Sequence, residues 1–89
     1  MWSPTAIAQL TEIRRYIQRD KPEAARRIAV KIVASASGLA RHPRLGHGGR
    51  KHGTRELLIP GTPYLISYRA EEERLVILTI LHGARGRTI

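Results

Sequence analysis

The chain has no cysteine, no phenylalanine, one tryptophan and three tyrosines in 89 residues. Without cysteine no disulfide can staple the fold and no thiolate can hold a metal, which fits an intracellular setting and a cytoplasmic protein. Without phenylalanine the core must be assembled from Ile, Leu, Val and Ala. Acidic residues are also scarce, with 7 Asp and Glu against 16 Lys and Arg, a formal net charge of +9. No apolar run approaches the roughly 20 residues that span a bilayer, so no membrane partner is expected. Met1-Trp2-Ser3-Pro4 has neither the basic region nor the apolar stretch of a signal peptide. What remains is a small basic chain, predicted to form a single domain over residues 1–89, whose charge favours polyanions or an acidic protein.

Periodicity divides the chain into helices followed by strands. Ser3-Pro4 is a helix start, because Ser caps free amides and Pro suits the first helical position. Ile7, Leu10, Ile13 and Ile17 then recur at helical spacing. Asp20-Lys21-Pro22-Glu23 opens a second helix, whose stripe is Ala25, Ile28, Ala29, Ile32, Ala36 and Leu39, and His42-Pro43 closes it. The short connection makes the pair an antiparallel hairpin, and its alanines permit close approach. Pro43 to Gly53 is rich in Gly, Arg, Lys and His and is expected to be an exposed, mobile, basic connection.

Beyond it the period changes. Thr54–Ile59, Tyr64–Ala70 and Arg74–Leu81 are three predicted strands, separated by Pro60-Gly61-Thr62-Pro63 and Glu71-Glu72-Glu73. Tyr64, Ile66 and Tyr68 share one strand face, expected to pack under the helices. The last run is apolar on both faces, which predicts a central strand or one covered on both sides. The tail from His82 to Ile89 returns to basic loop character. The predicted class is α+β: an N-terminal antiparallel helix hairpin packed on one face of an antiparallel sheet of three C-terminal strands.

The order of these segments, and particular residues in them, resembles the RelE/ParE toxin superfamily of type II toxin–antitoxin systems. The resemblance is carried by Trp2-Ser3-Pro4 with Ala6, Leu10, Ile13 and Tyr16-Ile17, and by Pro22 followed by Ala25. His42-Pro43-Arg44-Leu45-Gly46, Gly53-Thr54-Arg55-Glu56-Leu57, Pro63 to Arg69 and Val76 to Arg85 complete it. Family members carry a full strand before the Trp-Ser-Pro segment. Here only Met1 and Trp2 stand in its place, so either that strand is very short or the sequence begins downstream of the usual start, and a missing strand would open a sheet edge.

The resemblance implies a growth-inhibiting toxin, of a kind tied to plasmid stabilization, neutralised by a cognate antitoxin that brings it to operator DNA. Two targets are open. Members similar to ParE poison DNA gyrase without cutting DNA themselves. Members similar to RelE cleave mRNA in the ribosome. The Leu81-His82-x-x-Arg85 ending resembles the ParE branch, and the sequence leans that way.

A ribonuclease needs a base, cations for the phosphorane charge and an acid. The candidates are His82 for proton transfer, with Arg55 and Arg85 for the phosphate. Arg50, Lys51, Arg69, Arg85 and Arg87 are the candidate target-binding cations. Each has a plainer role. Arg55 pairs with a carboxylate across the sheet, Arg69 faces solvent, and His82 caps the end of the sheet. Alternation aims Arg55 and Glu56 at opposite faces. His42, His47 and His52 lack compact ligand spacing, so neither a metal nor any other cofactor is implied.

Overall fold

The structure is a computed structural model in which residues 1–83 are described. Helix α1 spans Pro4–Gln18 and α2 spans Pro22–Arg41. Strands follow at β1 His47–Gly48, β2 Arg55–Leu58, β3 Tyr64–Ala70 and β4 Leu75–His82. All neighbouring strands are antiparallel, in the order β1-β2-β3-β4. The helix hairpin lies on one face of this sheet, as the α+β pattern predicts. No helix among the described residues is long and apolar enough to cross a membrane.

Ser3 begins α1 and also fixes it to the sheet. Its Oγ accepts the Ala6 amide at 3.0 Å and donates to the Leu78 carbonyl at 2.7 Å. Leu78 is the extra residue of a β-bulge, where the register passes from Ser67↔Thr79 to Tyr68↔Ile77. Nearly two turns further along α1, Gln9 Oε1 accepts the Ile80 amide at 2.7 Å.

The core contains Ala6, Ile32, Ala36 and Leu39 from the helices. From the sheet side come Ile59, Ile66, Tyr68, Ile77 and Ile80. Ala6 of α1 and Ala36 of α2 both lie in this core, small enough to let the helices sit close to the sheet.

Two expectations need correction. The last strand is not central, because β4 ends the strand order. Its outer edge is met by Trp2 in a single parallel bridge to Ile77 and by the α1 side chains just described. Its second face is apolar because Leu81 stands opposite Leu65 on the helix-free side of the sheet, where Leu65 is nearly buried. Met1 to Ser3 pair with β4 through that bridge and the backbone bonds beside it, and the sheet's fourth strand is β1.

The second correction concerns Pro43–Gly53, which is not simply a mobile connection. Its centre forms β1, paired with β2 through His47↔Glu56 and Gly48↔Arg55. Fully buried Tyr68 holds the segment from below. Its hydroxyl accepts the Gly46 amide at 2.9 Å and donates to the Pro43 carbonyl at 2.8 Å. A Cβ at Gly46 would stand 2.6 Å from that hydroxyl and 2.8 Å from the Glu56 carbonyl, so only glycine fits there.

Candidate functional site

The candidate residues fall into separate groups. Arg55 lies opposite Tyr68 and therefore on the helix side of the sheet. Its guanidinium donates to the Gly46 carbonyl at 2.8 Å and has no ion pair among the described residues. The expected carboxylate partner is thus replaced by a backbone oxygen, and Arg55 braces β1. Glu56, next in sequence, occupies the other face, as alternation requires. It is nearly buried and receives Arg50, whose Nε lies 3.6 Å from Oε2 and whose amide donates to the same oxygen at 3.4 Å.

Lys51 is exposed, and its carbonyl accepts the Thr54 hydroxyl at 2.6 Å. Arg69 is exposed on β3, as expected, with Glu71 3.9 Å away. Glu71 is bonded more closely by Arg74, at 2.7 Å. That hydrogen bond, opposed in part by desolvation and helped by the charges of Arg74 and Arg69, holds the Glu71 carboxyl below the usual carboxylate range.

His82 is not in a loop. It is the last residue of β4, paired with Tyr64, and the two rings meet edge to face with centroids 5.6 Å apart. Its Nδ1 is buried without a hydrogen-bond partner among the described residues. The ring closes one end of a groove of about 690 Å³ between α1 and the sheet, lined by Thr5, Gln9, Glu12, Tyr16, Tyr64 and His82 among others. The α1 members recur at helical spacing beside the apolar stripe, a signal present in the sequence but overshadowed by the stripe itself. Tyr64 therefore sits at the margin of the core, whereas Tyr68 lies fully inside it.

Arg55 and His82 do not converge. Their partners on β3, Tyr68 and Tyr64, stand four residues apart, and a full strand lies between them. Strand geometry puts the two positions roughly 16 Å apart. Arg85 and Arg87 lie outside the described residues. Arg50 and Lys51 belong to the β1–β2 connection and Arg69 to the far end of β3, so the described candidates do not share one pocket with His82. No group of three or more His, Cys, Asp or Glu suited to a metal occurs among the described residues.

A basic helix hairpin on an antiparallel sheet with these features defines a small α+β toxin domain of the RelE/ParE superfamily. The family model described as "ParE toxin of type II toxin-antitoxin system, parDE" matches residues 1–86, and the chain belongs to that family. It is 40% identical to the Y4kP protein of Sinorhizobium fredii over 82 residues, covering 92% of this chain and 84% of the relative. It is 34% identical to toxin RelE2 of Caulobacter vibrioides over 85 residues, covering 96% and 94%. In three dimensions it is similar to a chain of the chromosomal ParDE TA system from P. aeruginosa, with a TM-score of 0.82, 24% identity and coverage of 91% and 90%. That likeness establishes the shared fold.

Proposed function

We propose that this toxin inhibits growth by poisoning DNA gyrase and is held inactive by a cognate antitoxin. Recognition of the operator sequence is left to that antitoxin. The observation that carries the gyrase reading is the separation of Arg55 from His82. A cation rooted two strands and four residues away from the proposed acid or base is poorly placed to stabilise the phosphate that group acts on. Arg55 also spends its guanidinium on the Gly46 carbonyl. A poison that works by surface contact needs no such convergence.

The antitoxin fits the helix hairpin. Ile7 on α1 and Val30 and Val33 on α2 are 53%, 60% and 46% exposed, apolar side chains open on a cationic hairpin. A segment that folds on binding covers such side chains and offsets the charge.

A second reading, a RelE-like ribosome-dependent endoribonuclease, rests on the groove. There His82 and Tyr64 face Glu12 and Tyr16, so titratable groups share one concavity. Incubating the purified chain with gyrase and plasmid separates the two. Accumulation of cleaved DNA or loss of supercoiling supports the first. Intact gyrase activity together with mRNA cleavage in a translating ribosome extract replaces it with the second.

A further inference from the structure

Residues 12–31 carry seven cations against three acids, and all seven cations are exposed. The structure folds this stretch into the tip of the helix hairpin. The connection of residues 19–21 sets the last turns of α1 beside the first turns of α2. Arg19, the helical C-cap of α1, stands four residues after Arg15 and about 6 Å further along the axis. Arg26 and Arg27 lie on the neighbouring helix, whose axis is about 8–10 Å away. Lys21 sits on the connection between them. One ion pair forms here among the described residues, Arg15 to Glu12 at 3.6 Å. Both its side chains are about three-quarters exposed, which makes the pair weak and readily exchanged for another anion.

We infer that this tip is a contact surface for the phosphate backbone of duplex DNA. The inference goes beyond the gyrase reading, because it concerns DNA held by the toxin's own side chains and stands whichever enzyme is the target. The composition of the patch separates DNA from an acidic protein as occupant. Protein interfaces have an apolar centre. Here Tyr16 and Val30 are the two large exposed hydrophobic side chains between residues 12 and 31. Val30 stands at the patch's inner edge, one turn (about 6 Å) beyond Arg26, and Ile7 is about 18 Å further up the hairpin from Arg19. Phosphate contacts need no apolar centre and are dominated by Arg and Lys. Four of the five tip cations named are arginines, whose planar fork suits a phosphate. No side chain here is placed to read base edges, so the contact is independent of sequence.

The test is fluorescence anisotropy of a labelled duplex of about 20 base pairs with the full chain across a salt series. Replacing Arg15, Arg19, Arg26 and Arg27 together by Gln should weaken binding at least about tenfold near 0.1 M salt. It should also reduce the slope of log affinity against log salt by about 3 to 4. The four Arg→Lys replacements should restore binding to within about threefold, because the charge remains. Arg50→Gln with Lys51→Gln, at the opposite end of the molecule, should change affinity less than about twofold. Circular dichroism of each variant establishes that it is folded, and the Lys variant provides the comparison if the Gln variant is not. Equal losses in the tip and loop variants, or no loss in the tip variant, overturn the inference. So does equally effective competition by polyglutamate, or tighter binding of single-stranded RNA through the same four arginines.

Discussion

Tyr68 shows how one side chain decides the conformation of a distant segment. Its ring fills the core while its hydroxyl pairs with the Gly46 amide and the Pro43 carbonyl. Tyr68→Phe keeps the ring and strands both backbone groups, the more costly way to lose a hydrogen bond. The expected loss is about 1–3 kcal/mol in urea unfolding, with α1 and α2 retained. Amide exchange at Gly46 and His47 should accelerate more than exchange at Ile66, since the β1 segment loses its anchor. Glu71 gives a second test at this scale. Its folded pKa lies below the ordinary value, so its pairing contributes stability above about pH 4.3 and loses it as pH falls through the folded value. Its side chain is 31% exposed and that of its partner Arg74 57%, so solvent screens the pairing and the effect is local. An NMR titration of Glu71 should show its midpoint rising in Arg74→Gln.

At the scale of elements, α1 and β4 are joined by side chains that satisfy the outer edge of β4. Ser3 takes the Leu78 carbonyl and Gln9 takes the Ile80 amide, beyond the single bridge at Trp2. Ser3→Ala removes the helix cap and the strand tie together. It should cost about 1–2 kcal/mol in thermal or urea unfolding, at the upper end of a simple cap loss. Gln9→Leu should leave global stability nearly unchanged yet speed exchange of the Ile80 amide several-fold. The element order was legible in the sequence because it rests on local signals: the stripe from Leu10 to Ile17, the Ser3-Pro4 cap, and the switch to alternation after Gly53. The edge position of β4 was not, because two apolar faces describe either a central strand or, as here, an edge strand with Leu81 against Leu65 behind it. Strand β1 was invisible because a two-residue strand has no period. Its partners, Tyr68 and Arg55, are distant in sequence. The candidate site suffered likewise. His82 and the arginines were named by type, but their mutual distance depends on strand register, which composition does not carry.

For the whole molecule the cations are divided between two ends. The hairpin tip carries Arg15, Arg19, Lys21, Arg26 and Arg27. The opposite end carries Arg50, Lys51, Arg69 and Arg74, partly offset by Glu56 and Glu71. The groove at His82 lies between α1 and the sheet and shares residues with neither group. A nuclease would need His82 for proton transfer, whereas a gyrase poison would use it only to close the sheet beside Tyr64. His82→Gln keeps the approximate size and a hydrogen-bonding end but cannot take up a proton near neutral pH. Under the gyrase reading, cells expressing this variant without antitoxin should stop growing as wild-type cells do, and gyrase-dependent DNA cleavage should persist within about twofold. A nuclease would lose at least about a hundredfold in mRNA cleavage, the usual scale of a lost general acid or base. Antitoxin co-purification shows whether the variant is folded. A folded, antitoxin-binding His82→Gln protein that no longer arrests growth would therefore move the function from surface contact to chemistry in the groove.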